Sequence, residues 1–404
     1  MTEVQLRRAL LGIQPPDELG ATRRSWQLAR AAFDEREPTP WPRRHAGLLL
    51  AAAVAIALLV GVLSPPGRAV ISDVREALGK DEVSVVPQAR PAALSLPAEG
   101  RVLVTAPSGV WVVEADGTKR RLGDFDEASW SPGGLAVASA RSRLVAFNPT
   151  GAARWTLARP RVHDARWSPS GSRIAYLSGS NLRVVAADKT GDRRVDGAAD
   201  VAPAWRPGDQ PVVAYVSAGG ALTVRDTDTD DTLWTSAVRA TPAQLEWSAD
   251  GRRLVAAVPL SDNRFAITVY DETGRRLQSL PLPGTFVDAA FTPDDHRIAL
   301  IRRQRAEAGE TSELLVVDAD SIRRQTPVFS GRGRFGAVAW SPGARWLLLG
   351  WPSADQWLFI RSTAVEKIKA VSSLAQQFDP SGTGVRPFPR IEGWCCGGGQ
   401  AAPV

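Results

Sequence analysis

Cysteine is nearly absent from this chain: 404 residues hold two, Cys395 and Cys396, side by side. Without a third cysteine no ordinary intramolecular disulfide can form, and consecutive Cα atoms about 3.8 Å apart fall short of the usual bridged separation. A vicinal bridge, free thiols and an intermolecular bond stay open, while a two-thiolate metal site lacks the nearby histidine it would need. Histidine is as scarce, with His45, His163 and His296 the full complement. They are widely separated, spacing pairs none of them with a partner, and no metal or cofactor is expected. Lysine is rare too, five of 49 basic residues, so the net charge of +6 is carried by arginine. A nucleic-acid groove would want a dense basic run with interleaved aromatics; the nearest approach is the short RRQR at 302–305, and no nucleic-acid partner is expected. G-x-S-x-G, H-E-x-x-H and phosphate-loop motifs are missing as well, which removes the common hydrolase and nucleotidase signatures. No catalytic constellation remains, and an enzyme is not the expectation.

What the chain does have, first, is one long apolar run. Residues 46–63, AGLLLAAAVAIALLVGVL, carry no charge and follow Arg43, Arg44 and His45. At about 1.5 Å per residue they would span roughly 27 Å as a helix, close to a bilayer's hydrocarbon thickness. The 45 residues before the run and the SPPG after it do not suit a cleaved secretory signal. The run therefore predicts a single-pass signal-anchor helix in a bacterial plasma (inner) membrane. The arginine pair abutting it and the large domain beyond it favour a cytoplasmic N-terminus and an extracytoplasmic C-terminal part.

Residues 1–45 read as a cytoplasmic tail. Its amphipathic helix would align Trp26, Ala29 and Phe33, before EPTPWP stops it at 37–42. That stripe suits either the membrane surface or a cytoplasmic partner. Residues 64–99 form a connector, with Val70, Ile71, Val74 and Leu78 on one side of a short helix and then a proline-rich spacer.

From residue 100 the sequence repeats. WSPGG starts at Trp130, WSPSG at Trp167, WRPGD at Trp205, WSADG at Trp247, FTPDD at Phe291 and WSPGA at Trp340. Subtraction gives spacings of 37, 38, 42, 44 and 49 residues. Each motif follows a short apolar stretch and precedes two strand-like runs and a weaker polar one, as in RLVAAVP, AITVYDETG and RRLQSLP. The aromatic ends a strand, Ser-Pro-x-Gly turns the chain, and the serine oxygen can bond back to the turn amides. Four strands per unit of about 40–45 residues mark a β-propeller.

These motifs resemble the TolB-type and WD-repeat propeller families, whose blades carry a [WF]-S-P-D-G turn between their first and second strands. The resemblance covers about 100–394. The Gly-His and Trp-Asp pairs of WD repeats are generally missing, which places the chain nearer the TolB-type side. That likeness implies an extracytoplasmic propeller, in agreement with the anchor. TolB's own role does not carry over, because its soluble form and separate N-terminal domain are not seen here.

Residues 101–123 already read as second to fourth strands with no W-S-P-x-G before them. A blade lacking its first strand would leave open edges. FPRIEGW, ending at Trp394, supplies the missing strand from the far end of the chain. The expected architecture is all-β, a seven-bladed propeller closed by residues 388–394, with six blades as the alternative and 395–404 as a tail. Trp130, Trp167, Trp205, Trp247, Phe291, Trp340 and Trp394 are then the structural aromatics of the repeat. Cys395 and Cys396 stand where Ser-Pro normally does.

Other features have plainer readings. DTDTDD at 226–231 offers Asp226, Asp228 and Asp230 in calcium-loop order but lacks the glycine and distant glutamate of an EF-hand. It also falls where each blade has a polar turn. The stretch at 302–313 is expected to be a long loop of blade six, and GVRPFPR at 384–390 a proline-rich approach to the closing strand that either lines one tunnel mouth or merely reaches across. The expected function is a membrane-anchored module that binds an envelope protein or another extracytoplasmic ligand through loops at one mouth. The alternatives are an envelope enzyme with its site at that mouth, which converging carboxylates of perturbed pKa would favour, and a transmembrane sensor signalling through residues 1–45.

Overall fold

The structure, a computed structural model, describes residues 94–396 except Pro132, Arg239, Asp262 and the stretches 295–296, 307–308, 363–367 and 381–385. The expected tail, membrane span and most of the connector lie outside the described residues, as does His296. Among the described residues no helix is long and apolar enough to cross a membrane.

The first blade takes β1 (Arg101–Ala106), β2 (Gly109–Val113) and β3 (Lys119–Gly123). Blade two is β4 (Glu127–Trp130), β5 (Ala136–Ala140), β6 (Arg143–Phe147) and β7 (Ala153–Ala158). Blade three is β8 (Val162–Trp167), β9 (Arg173–Ser178), β10 (Asn181–Ala186) and β11 (Arg193–Gly197). Blade four is β12 (Ala204–Trp205), β13 (Val212–Val216), β14 (Ala221–Asp226) and β15 (Thr232–Ala237). Blade five is β16 (Gln244–Trp247), β17 (Arg253–Ser261), β18 (Arg264–Asp271) and β19 (Arg276–Pro283). Blade six is β20 (Thr285–Phe291), β21 (Arg297–Ala306), β22 (Gly309–Asp318) and β23 (Gln325–Arg332). Blade seven is β24 (Val338–Trp340), β25 (Trp346–Trp351), β26 (Gln356–Arg361) and β27 (Ile368–Ser372), followed by the short helix α1 (Leu374–Phe378). The chain ends in β28 (Arg390–Cys395), which pairs antiparallel with β1, setting Trp394 opposite Val102.

The result is seven four-stranded antiparallel sheets, each with one inner strand, and an all-β seven-bladed propeller. Seven complete sheets exclude the six-bladed alternative. The closing strand completes blade one as the sequence implied, and it runs through Cys395.

Seven apolar clusters fill the seven junctions between neighbouring blades. Second and third strands are buried on both faces, so they read as near-continuous apolar runs such as VVAYV at β13 and LLLG within β25. Outer strands alternate exposed and half-buried positions, as in TLWTSA at β15. The junction between blades seven and one is the most aromatic. There Trp357, fully buried, packs 5.4 Å from Phe378 of α1, and Phe359 meets Trp394 edge-on at 5.7 Å.

The repeat motif works locally as its chemistry requires. Ser131, Ser168, Ser248, Thr292 and Ser341 are buried, and their hydroxyl oxygens accept the backbone N–H of Leu135, Arg173, Arg253, Arg297 and Trp346 at 2.9–3.1 Å. Gly251 takes the left-handed position of its turn at φ 67°, where a Cβ would lie 2.4 Å from the Pro207 carbonyl oxygen. In blade seven Ala344 occupies the same position at φ 54°, a strain of roughly 1 kcal/mol for a residue with a Cβ. Arginines from the preceding blade cover three of the aromatics: Arg101 over Trp130, Arg206 over Trp247 and Arg297 over Trp340.

One expectation needs correcting. Residues 302–313 are not a loop but the two arms of the β21–β22 hairpin, with residues 307–308 of its tip outside the description. Polar side chains suggested a loop, yet on adjacent strands they pair across the hairpin. Arg302 meets Glu313 at 2.7 Å and Arg303 meets Glu310 at 3.2 Å.

Candidate functional site

Neighbouring inner strands share no backbone ladder, so each presents an unpaired edge towards the tunnel, and a buried amide must find another partner. Side chains from the adjacent blade supply it. Glu127 Oε2 accepts the Asp164 N–H at 2.6 Å, and Ser129 donates to the Ala165 carbonyl at 2.8 Å. Gln244 closes a two-way bond with Ala289, accepting its N–H at 3.2 Å and donating to its carbonyl at 2.7 Å. Glu246 accepts the Phe291 N–H at 3.0 Å, and Asp288 accepts that of Val338 at 2.9 Å. In the reverse direction the indoles of Trp205 and Trp340 donate to the carbonyls of Arg166 and Ala290.

Five carboxyl groups and two guanidinium groups thus gather on the inner strands: Glu127, Asp164, Glu246, Asp288 and Glu392 with Arg166 and Arg390. Arg390 is the hub. Its charge is held protonated first by Glu392, 3.7 Å away, and then by Asp288, Glu127 and Asp164 from three other blades. Glu246, on the inner strand β16, is surrounded by protein, and that burial pushes its carboxyl up to about 8. Burial likewise lifts Asp288 to about 6, against the opposing pull of the Val338 amide and Arg390. Glu392 is raised by burial as well, which Arg390 and Arg166 only partly offset.

Glu246 gives a measurable consequence. A carboxyl whose folded pKa is raised contributes its stability below the ordinary carboxylate range and loses it as pH climbs through about 8. Glu246→Gln keeps an oxygen for the Phe291 amide and cannot ionise. Its stability is expected to match the parent near pH 4, to exceed it increasingly as pH rises, and to level off above about 8 at a gap on the order of 5 kcal/mol. A pH-independent difference would show that Glu246 is charged throughout.

His163, given no partner by spacing, acquires three. Its Nδ1 lies 3.1 Å from Asp164 Oδ2 and 3.4 Å from Asp200 Oδ1, and its Nε2 lies 3.4 Å from the Gly179 carbonyl. Asp164 raises the imidazole's pKa, against the effect of burial. Burial would raise Asp164, but His163 and Arg166 outweigh it and the net direction is down.

The other sequence candidates take structural places. Trp167, Trp205, Trp247, Phe291, Trp340 and Trp394 are buried at the ends of their inner strands, and Trp130 is half-buried. Cys395 and Cys396 are joined as a vicinal disulfide, with Cys395 Sγ 3.4 Å from the Ser131 carbonyl at the seam between blades one and two. Since β1 enters from the other end of the chain, no turn has to follow Trp394, and Ser-Pro is not needed there. In DTDTDD, Asp226 Oδ1 accepts the turn amides of Asp228 and Thr229, Asp228 pairs with Arg173, and Asp230 pairs with Arg193 and Arg225. Of GVRPFPR, Arg386 and Phe388 line a cavity of about 440 Å³ with Pro352, Asp355, Ser373 and Gln376.

The inner-ring carboxylates were the residues that sequence reading did not single out. A signal existed: Glu127, Asp164, Gln244 and Asp288 each stand three residues before the repeat aromatic.

No family model matches this sequence, and no curated protein matches it. Solved structures do resemble the fold. A chain of the hydrazine synthase of Kuenenia stuttgartiensis is similar over 59% of this chain and 77% of its own, at 14% identity and a TM-score of 0.50. A chain of a mitotic checkpoint complex covers 72% of this chain and 85% of its own at 13% identity, with a TM-score of 0.48. The Cps50 (Swd1) β-propeller domain of Myceliophteria thermophila covers 61% and 85% at 10% identity, with a TM-score of 0.47. At such identities the likeness is one of fold.

Proposed function

We propose that this chain is a membrane-anchored, extracytoplasmic binding module of TolB-type character that engages its ligand at the tunnel mouth where the inner strands begin. The observation that carries the reading is the convergence of charged side chains from several blades on Arg390, with Glu127, Asp164 and Asp288 all within its electrostatic reach. The elongated hairpins of blades five and six rise on the same side, because their tips join the second and third strands. Carboxyl groups outnumber guanidinium groups there, so the ligand would present an amine, guanidinium or amide group. The anchor is the apolar run at 46–63, and the partner is an envelope protein or another extracytoplasmic ligand.

The test uses photo-crosslinking residues in the full chain in native membranes. One replaces Thr285, exposed at the start of β20, and the other replaces Lys189, exposed on a hairpin of the opposite face. A discrete adduct from position 285 and none from 189 is expected. Equal labelling from both, or none from 285, would remove the mouth as the binding face.

A second reading, an envelope enzyme, is favoured by one observation: Glu246 and Asp288 combine burial with pKa values of about 8 and about 6, the range in which a carboxyl can transfer protons at neutral pH. Both already accept a neighbouring strand's amide, and this structural duty explains their position, so binding is the preferred reading.

A further inference from the structure

Capping by the residue three before the aromatic holds for Glu127, Gln244 and Asp288, but blade three departs from it. Asp164 stands at the equivalent position, and the neighbouring strand offers Pro203 where blades six and seven offer the amides of Ala289 and Val338. Proline has no N–H to be capped. The carboxylate has turned elsewhere. In a regular strand Asp164 and His163 would point to opposite faces. Here Asp164 adopts φ 52° and the β8–β9 register breaks between His163 and Arg166, which brings both side chains to one side. Aspartate tolerates that left-handed conformation better than most residues.

We propose that His163, Asp164 and Asp200 form a binding site for one divalent transition-metal ion of the zinc class, beside the tunnel mouth and between blades three and four. One ligand atom from each residue lies within 4.8 Å of the other two. The imidazole is oriented from outside the cluster. Its Nε2 faces the Gly179 carbonyl at 3.4 Å, a contact that is a hydrogen bond only when Nε2 carries the proton. A cation that displaces a proton from Nδ1 meets three electron-rich atoms facing one point: Nδ1, Asp164 Oδ2 and Asp200 Oδ1. A cation is what such an arrangement accommodates, and a backbone carbonyl behind the far ring nitrogen is the usual support of a metal-bound histidine. Asp164 divides its oxygens, with Oδ1 3.9 Å from Arg166 Nη2 and Oδ2 on the histidine side. Glu127 fixes the backbone beneath by accepting the Asp164 N–H.

One nitrogen and two carboxylate oxygens suit zinc and its first-row neighbours better than calcium, which wants six or more oxygens. Three protein ligands leave a coordination position open. Asp200 is exposed, 88% of its side chain reaching solvent, so that position is accessible from the mouth.

This inference stands apart from the binding reading above and has its own test. Full-length protein, purified in detergent and stripped with chelator, is titrated with Co²⁺ while visible absorption is followed, and the cobalt is then displaced with Zn²⁺. One equivalent of cobalt is expected, with ligand-field bands that zinc removes. H163Q should abolish those bands. D200N, at an exposed position whose change leaves the fold intact, should weaken affinity at least tenfold, whereas the double variant C395S/C396S should bind as the parent does. Absence of saturable uptake, or uptake unchanged in both H163Q and D200N, would overturn the proposal.

Discussion

Removal of residues 385–404 is expected to abolish the cooperative thermal transition of the propeller. The deletion takes away β28, and with it the buried side chains of Ile391 and Trp394 and the partner of the fully buried Val102, Leu103 and Val104. Truncating a core tryptophan alone costs about 3–5 kcal/mol and a core isoleucine about 2–5. Together these approach the whole stability of a typical domain, about 5–15 kcal/mol. The loss also opens the junction holding Phe359, Trp357 and Phe378. Scanning calorimetry on the full and shortened chains decides the matter, and an unchanged melt would contradict the closing-strand architecture. Trp394→Ala serves as the graded version, with an expected loss of about 3–5 kcal/mol.

The second large effect is expected at Asp192. Its side chain is 6% exposed and is the common acceptor for Tyr176, Arg183 and Arg159, with Tyr176 Oη 2.6 Å and Arg183 Nη2 3.0 Å away. Asp192→Ala strands a buried phenol and leaves two guanidinium groups facing each other without their counter-ion. Arg159 and Arg183 retain some solvent, so the cost settles near 3 kcal/mol, below that of breaking a fully buried pair. Burial alone would raise the Asp192 carboxyl, but the hydrogen bonds from Arg183, Tyr176 and Arg159 outweigh it and the net direction is down. A lowered folded pKa contributes stability above the ordinary aspartate value, about 3.9, and loses it as pH falls through the folded value. The stability gap between the parent and Asp192→Asn should therefore be widest near neutrality and shrink below about pH 4. A gap constant down to pH 2 would mean that the charge contributes nothing.

Much of this architecture was legible because five of the seven blades make the same hydroxyl-capped turn. Buried serines at 131, 168, 248 and 341 and the threonine at 292 each accept one turn amide, which a small residue without a hydroxyl could not. That requirement printed a motif into the sequence. The closing strand was legible for a related reason: a first blade without an inner strand demands one from elsewhere. The hairpin at 302–313 was missed because its side chains are polar on both faces, and their partners lie across the strand pair rather than along the chain. His163 was missed because strand alternation sends Asp164 to the other side, and only a local left-handed residue reverses this. Asp200 lies on the loop to the next blade, and folding alone brings it near. The inner carboxylates were hidden by their modest role, which is to satisfy an amide one blade away.

The pairing of β28 with β1 also sets a schedule. Val102 and Trp394 are neighbours in space, but nearly the whole described chain must be synthesised between them. At about 5–20 residues per second, the first three strands wait on the order of 15–60 s with a bare edge while the last one is made. The apolar side chains of that edge, Val102 and Val104 on one face and Leu103 on the other, must be shielded throughout by something other than their final neighbour. Blades two to seven need no such wait, since each carries its own inner strand. The ring's most vulnerable period is thus its early life, and the part at risk is the part made first.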